Sequence, residues 1–342
     1  MRIIYSVLLL LFVSCNEKEA PVAKVLQGNA FGTTYTIQFY GEHENTIEKG
    51  IDSVIHAVNK SVSTYMPNSD ISKINRGDTT VVVDDIFKEV FRISETVHKN
   101  SKGYFDPTVG VLRNAYGFGD TKPLQHIDQK TLDSLMQFVG FDKVKLLANG
   151  KVVKEHPEIY FDFNAVAKGY GIDCLGRYLE GEGITNYIIE LGGELLAKGM
   201  NISKQQPWVV GIESVNSNLN DRSYDVTLKL ENMGMASSGN YRKFRIDSLT
   251  GKKYVHTLNP LTGSAEQSNV TSATVVANSC AEADAYATAF MALGLNKSKL
   301  LLKETSGIYA YLTYTNKDNN PQVFMTGNFR KLLVESLAAN GE

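Results

Sequence analysis

The chain has 342 residues, of which 43% are hydrophobic and 21% charged, so it can bury the core of one large domain or of two ordinary ones. This composition excludes a disordered chain. The formal net charge of -2 at pH 7 lacks the basic excess that binding to a nucleic-acid backbone requires, so we expect no nucleic-acid partner.

The N-terminus has the features of a targeting segment. Arg2 precedes the apolar run IIYSVLLLLFV, which is too short to span a bilayer comfortably and ends before Ser14 and Cys15. The pattern resembles a bacterial lipoprotein signal peptide over residues 1–14, with lipidation of Cys15 and a lipidated tether over 15–27. The protein would then be extracytoplasmic and lipid-anchored to a bacterial membrane, on its periplasmic side. An uncleaved anchor helix and a plain secretory signal are the alternatives.

The segment after the tether begins with a strand and two helices. FGTTYTIQFY (31–40) alternates as a strand does, and the apolar residues of HENTIEKGIDSVIHAVNKSVST (43–64) share one helical face. A second helix is predicted from Asp84, a favourable N-cap, to a stop at Gly103.

Later elements mix helices and strands without a regular strand-helix-strand alternation. We predict a single α+β domain over residues 28–342. Helices are expected near 129–139, 166–180 and 281–293, and strands at 187–191, 208–213, 224–230, 271–277 and 308–313.

Two loops carry aromatic residues that could form a binding wall. Tyr65 lies in the turn-forming stretch STYMPNSDISKIN, where it could stack on a planar ring, although core packing is the alternative. GYFDPTVGVLRNAYGFG (103–119) is rich in glycine and aromatic residues and suits neither a helix nor a strand. It would form a wall of a ring-binding cleft, or else a packed irregular loop.

Two further segments could bind an anion. In FDFNAVAKGYGID (161–173) a strand ends near Asp162 and a helix follows, so backbone amides and Lys168 are available to a phosphate. The spacing matches neither a Walker loop nor GxGxxG. In IIELGGELLAKG (188–199) a strand runs into Gly192 and Gly193, where the backbone could approach a ligand or simply turn.

The stretch CAEADAYATAF (280–290) places a carboxylate and a hydroxyl on one helical face, because Asp284 and Thr288 are four residues apart. They are two hard oxygen ligands facing one point. The alternative is a solvated Asp favoured by the helix dipole and a Thr bonded to its own backbone.

One histidine and two cysteines complete the candidates. His256 precedes an Asn-Pro turn in KYVHTLNPLTG and could act as a base or be structural. Cys174 and Cys280 form no CxxC or zinc pattern, so we expect both to be structural.

Taken in order, the motifs resemble the ApbE family of flavin transferases, lipoprotein type. They are FGTTY, STYMPNSDISKIN, GYFDPTVGVL, YGFG, FDFNAVAKGYGID, ELGGEL, SSGNYRKF, HTLNPLTG and AEADAYATAFMALG, and they extend from about residue 28 to the C-terminal strands. The resemblance implies an ApbE-like α+β fold with mixed helices and sheets in two lobes around an FAD cleft.

The same resemblance implies an Mg²⁺-dependent enzyme that transfers FMN from FAD to a Thr or Ser hydroxyl of an acceptor flavoprotein and releases AMP. Acceptors in the family are flavin-carrying subunits of membrane redox complexes. The family's metal site falls on Asp284, Thr288 and the carbonyl of Ala165, and His256 matches the base that takes the acceptor proton. The positions that match the FAD site are Phe31, Tyr65, Tyr116, Gly117, Phe118, Asp162, Lys168 and Leu258.

The sequence departs from the family pattern at four positions. Asn164 stands where many relatives have Gly, Asn259 where the turn usually has Asp-Pro, Tyr116 where Trp is common, and Ala265 in place of a frequent Pro. Two other functions stay open: an FAD pyrophosphatase that yields FMN and AMP, and a non-catalytic FAD-binding lipoprotein.

Overall fold

The structure is a computed structural model that describes residues 21–41, 44–214, 224–240, 244–247 and 251–334. The expected signal peptide, Cys15 and most of the polar stretch 214–223 lie outside these ranges. Within them, no helix combines the length and the apolar character needed to cross a membrane. The first strand begins at Lys24, inside the segment expected to be tether.

The elements follow one another in this order: β1 (Lys24–Ala30), β2 (Thr33–Phe39), α1 (Glu44–Val62), α2 (Asp70–Asn75), α3 (Asp85–Asn100), α4 (Gly110–Tyr116), α5 (Gln129–Met136), a 3₁₀ turn (Phe141–Lys143), β3 (Val144–Leu146), β4 (Val152–Lys154), α6 (Ala167–Gly181), β5 (Tyr187–Leu191), β6 (Glu194–Lys198), β7 (Trp208–Glu213), β8 (Tyr224–Leu230), β9 (Met233–Gly239), β10 (Phe244–Ile246), β11 (Lys253–Val255), β12 (Val270–Ala277), α7 (Cys280–Glu304), β13 (Tyr309–Thr315), β14 (Pro321–Met325) and α8 (Gly327–Arg330). This mixture confirms the α+β prediction.

An eight-stranded sheet organises these elements. Its strand order is β1-β2-β5-β6-β9-β12-β13-β14, and every neighbouring pair is antiparallel. The pairs β3-β4, β7-β8 and β10-β11 form separate two-stranded sheets. The strands expected at 187–191, 208–213 and 224–230 are confirmed with the same bounds.

Helices α1 and α6 cover one half of this sheet. Ile47 and Ile51 of α1 are fully buried and share a core cluster with Ile37 of β2 and Leu175 of α6. The apolar face predicted for α1 therefore faces the sheet. The burial of this face, more than intrinsic helix propensity, stabilises the helix.

Helix α7 packs on the centre of the sheet and carries buried small residues on opposite sides. Its alanines at 281, 283, 285, 287 and 289 are all buried in the largest core cluster. The chain leaves helical geometry at Gly294, where φ is 71°, so the helical stretch expected at 281–293 ends there and a second stretch runs on to Glu304.

Close contact between α6 and α7 fixes the start of α7. A Cβ on Gly169 of α6 would lie 2.4 Å from the carbonyl oxygen of Cys280. The Asp173 carboxylate, also on α6, accepts hydrogen bonds from the backbone N–H groups of Cys280 at 2.8 Å and Ala281 at 2.9 Å. Asp173 therefore caps α7 from a neighbouring helix. Cys174 and Cys280 are both free thiols.

Candidate active site

A cleft of about 590 Å³ opens between the end of α1, the loop at 104–118, the start of α6, the turn at 256–260 and α7. Nearly all the residues predicted for a flavin and metal site meet in it. Those that line the cleft are Phe31, Tyr65, Phe118, Asp162, Ala165, Lys168, His256, Leu258, Asp284 and Thr288. Tyr116 and Gly117 do not line it.

Asp284 and Thr288 occupy the floor of the cleft. Asp284 is 7% exposed, so the alternative of a solvated carboxylate is excluded. Its Oδ2 accepts the backbone N–H of Gly169 at 3.1 Å, and Thr288 Oγ1 lies 3.4 Å from Ser238 Oγ. Burial raises the pKa of Asp284, whereas the charge of Lys168 and the Gly169 hydrogen bond oppose this shift. A positive charge beside a buried carboxylate stabilises its ionised form.

The donor set at this point suits a hard cation. Asp284 offers a carboxylate and Thr288 a hydroxyl, and Ala165, at the bend before α6, lines the same cleft. Mg²⁺ prefers oxygen ligands and usually retains waters and substrate phosphate, so one carboxylate with neutral oxygens is a compatible set. The described ranges contain no group of three His, Cys, Asp or Glu that could hold a metal. A cation here would therefore depend on Asp284 as its charged ligand.

Lys168 is held at the cleft by a buried carboxylate that the sequence did not single out. Its Nζ lies 2.6 Å from Glu194 Oε2, and the Glu194 side chain is 4% exposed. Burial lowers the pKa of Lys168, but the charges of Glu194 and Asp284 outweigh it and the pKa is raised. Lys168 is therefore a fixed ammonium beside the candidate metal site.

The turn before Glu194 explains how that carboxylate reaches Lys168. Gly192 and Gly193 both have positive φ, 58° and 101°, and close the hairpin between β5 and β6. Neither glycine lines the cleft. Of the two interpretations left open by the sequence, the structure supports the tight turn. This turn places Glu194 at the start of β6.

Arg113 is a second cleft residue that the sequence analysis missed. Its Nε lies 2.5 Å from Asp162 Oδ2, and its Nη2 donates to the Phe118 carbonyl at 2.9 Å. Asp162 also accepts the backbone N–H of Asn164 at 2.8 Å. Arg113 thus joins the aromatic loop to the segment before α6. The sequence indicated Arg113 only as the single arginine in a segment rich in glycine and aromatic residues.

The aromatic wall differs from the prediction in two respects: residues 110–116 form helix α4, although the segment was expected to suit neither a helix nor a strand, and two of the predicted residues lie behind the wall. Helix α4 ends at Gly117, whose left-handed φ of 83° turns the chain so that Phe118 faces the cleft. Tyr116 is 5% exposed and donates its hydroxyl to the Gly263 carbonyl at 3.0 Å. Tyr116 and Gly117 therefore support the wall from behind. Tyr65 is 65% exposed at the cleft mouth, so it is not a core residue.

His256 lines the same cleft as the metal candidates and directly follows β11. Its ring centroid is 6.4 Å from that of Phe118, with the rings nearly edge to face. The Thr257 hydroxyl donates to Asn240 Oδ1 at 3.0 Å, and Asn259 Oδ1 accepts the Leu261 N–H at 3.0 Å. The side chain at position 259 thus fixes the turn after His256.

Asn164 presents a donor that the protein leaves unsatisfied. Its side-chain nitrogen is buried without a hydrogen-bond partner, and the residue lines the cleft. Buried donors in folded proteins nearly always have a partner, because an unpaired one costs about 1–3 kcal/mol. Asn164 is therefore positioned to donate to a ligand.

The chain is similar to known proteins both in sequence and in structure. The family model described as "ApbE family" matches residues 31–312. A Haemophilus influenzae protein named FAD:protein FMN transferase is 32% identical, with 96% of each chain covered. A Vibrio cholerae protein of the same name is 32% identical, with 84% of this chain and 85% of the relative covered. The solved flavin transferase ApbE from Vibrio cholerae superposes with a TM-score of 0.81 at 28% identity, covering 91% of this chain and 100% of that one.

Proposed function

Because this chain belongs to the ApbE family, we propose that it is an FAD:protein FMN transferase that moves FMN from FAD to a Thr or Ser hydroxyl of an acceptor protein and releases AMP. The observation that carries the proposal is the meeting, in one cleft, of an aromatic wall, a fixed ammonium, an oxygen pair on α7 and a histidine. Each has a part in binding FAD or in displacing AMP.

The cleft residues account for FAD recognition. Phe118 and Tyr65 offer aromatic faces to the flavin ring, and the cleft volume of about 590 Å³ is within the range of small-molecule sites. Lys168 and the amides at the start of α6 are suited to the pyrophosphate. The buried donor of Asn164 gains its partner when an acceptor atom of FAD lies beside it.

Asp284, Thr288 and the Ala165 carbonyl would hold Mg²⁺, whose charge would offset that of the pyrophosphate and orient it. The protein keeps Asp284 in place through the Gly169 N–H, and Glu194 keeps Lys168 in place. Both charges are thus fixed before substrate arrives, which is the condition for electrostatic catalysis of phosphoryl transfer.

His256 would serve as general base. A neutral imidazole near pH 7 can take the proton of the acceptor hydroxyl as its oxygen forms a bond to the FMN phosphorus. The bond from that phosphorus to the bridging oxygen breaks, and AMP leaves with the electron pair. His256→Ala is therefore expected to abolish transfer and to retain FAD binding.

We also propose a cellular location for the enzyme. Cleavage before Cys15 and lipidation of its thiol would anchor the domain to a bacterial membrane, on the periplasmic side. Flavin-carrying subunits of membrane redox complexes would then be within reach as acceptors. This part rests on the N-terminal sequence pattern alone.

The test is intact mass spectrometry of a candidate acceptor domain incubated with the soluble protein, FAD and Mg²⁺, while AMP and free FMN are followed by chromatography. We expect an acceptor heavier by one FMN, and no mass change with Asp284→Ala or after chelation. Asp85→Ala removes an exposed carboxylate from the first turn of α3 and is the matched control. AMP and free FMN beside an unmodified acceptor would indicate the pyrophosphatase, and intact FAD would indicate a binding protein.

A further inference from the structure

The hairpin of β10 and β11 exposes an apolar surface next to the cleft. Phe244 is 47% exposed and Ile246 is 59% exposed. Alternate residues of a strand point to opposite sides, so these two side chains share the face opposite Arg245. Lys253 Nζ lies 4.3 Å from the centroid of the Phe244 ring. We call Phe244 and Ile246 the hairpin face.

The opposite side of the hairpin is fixed to the wall of the cleft. Arg245 donates to the carbonyl of Tyr116 at 3.1 Å and to that of Leu124 at 3.3 Å. The ring of Tyr254 lies 5.0 Å from that of Tyr116. These contacts hold the hairpin in one orientation, and none of them uses the hairpin face. Val255, the cross-strand partner of Phe244, is buried on the same face, so Phe244 and Ile246 are the part of that face that stays exposed.

Among the described residues, β10 forms the outer edge of the hairpin, and this edge lies close to the candidate base. On one side β11 is bonded to Ala265, whose carbonyl accepts the Val255 N–H at 2.8 Å. On the other side β11 pairs with β10, which has no further strand partner in the described ranges. A chain added along β10 would lie about 10 Å from β11, which is two strand spacings. His256 directly follows β11, so about three extended acceptor residues would cover the distance from the added chain to His256.

We propose that the hairpin face is the docking surface for the acceptor protein, with an extended acceptor segment placed along β10 and its hydroxyl delivered to His256. The inference rests on the proposed transferase function. That function requires a polypeptide as second substrate, and the polypeptide must approach the cleft from the side of the base. An open strand edge beside exposed apolar side chains is the arrangement by which extended peptides are bound through strand addition.

The experiment measures FMN transfer at saturating FAD as a function of acceptor concentration. The probe is a flavin-carrying acceptor domain that the wild-type protein modifies. For the double variant Phe244→Glu and Ile246→Glu we expect the KM for acceptor to rise at least tenfold, with FAD affinity unchanged. Val323→Glu, which alters a 47% exposed residue on the far strand β14, is the matched control and should behave as wild type.

Three outcomes would overturn the docking proposal. The first is a wild-type KM for acceptor in the folded double variant. The second is a parallel loss of FAD affinity, which would assign the hairpin to the FAD site. The third is a wild-type dimer in size-exclusion chromatography that the double variant abolishes, which would assign the face to a second copy of this chain. Absence of transfer by the wild-type protein itself would instead refute the proposed function, and the docking proposal with it.

Discussion

Replacement of Gly169 by Ala tests how the packing of α6 on α7 controls the candidate metal site. The added Cβ would lie 2.4 Å from the Cys280 carbonyl oxygen and 2.9 Å from the Ala281 nitrogen, and both are backbone atoms that cannot rotate away. Ordinary van der Waals contact begins at 3.4 Å, so the two helices must separate by about 1 Å. The same movement would draw the Gly169 N–H away from Asp284.

The expected loss of stability follows from three contributions. Overpacking costs about 1–3 kcal/mol, and a weakened hydrogen bond to a buried carboxylate about 1.5–3 kcal/mol. Replacing a helical Gly by Ala returns about 1 kcal/mol. We therefore expect the free energy of unfolding to fall by about 2–4 kcal/mol, together with loss of FMN transfer.

Gly181→Ala is the control for this experiment. Gly181 is the last residue of the same helix, and a Cβ there would meet nothing within 4 Å. This variant should equal or exceed the wild type in stability, by up to about 1 kcal/mol. Urea unfolding followed by circular dichroism measures both variants. Wild-type stability and full transfer activity in Gly169→Ala would refute the argument that this contact positions Asp284.

Three other predictions concern buried polar groups. Asn164→Gly should weaken FAD binding roughly fivefold, about 1 kcal/mol, without loss of stability, in a flavin fluorescence titration; unchanged affinity would contradict the assignment of its unsatisfied donor to FAD. Glu194→Gln should lower the free energy of unfolding by about 3 kcal/mol, because it breaks a buried ion pair. The double variant Glu194→Leu and Lys168→Met removes both charges, so it should recover stability but not activity. Equal stability of the wild type and both variants would refute this. Burial raises the pKa of Asp173 from 3.8 to about 6, so its contribution to stability is present below pH 3.8 and is lost as the pH rises through 6. The stability of the wild type relative to Asp173→Asn should thus fall by about 2–3 kcal/mol between about pH 4 and about pH 7 in urea unfolding, and a constant difference would exclude a raised pKa.

Local sequence determined the helices and several strands. The apolar spacing of α1, the cap at Asp84 and the end of α3 before Gly103 each depend on residues within a few positions of one another. The spacing of Asp284 and Thr288 likewise determined that both would face one point, because four residues make about one helical turn. That both face a cleft followed from the position of α7 on the sheet.

The eight-stranded order could not be predicted from the segments alone. The sheet places β9 between β6 and β12, and local propensity carries no information about pairing between distant strands. The same limit applies to the cleft wall. Tyr116 and Phe118 have similar chemistry, and only the left-handed residue Gly117 between them decides which ring faces the cleft.

Sequence by itself therefore determined the secondary structure around the site, the oxygen pair on α7 and the aromatic composition of the loop at 103–119. Tertiary structure alone decided that Glu194 holds Lys168, that Arg113 joins Asp162 and that Asn164 keeps an unsatisfied donor. The physical reason is distance along the chain. Periodicity and capping act over one or two turns, whereas a buried charge obtains its partner only when remote segments pack and exclude water.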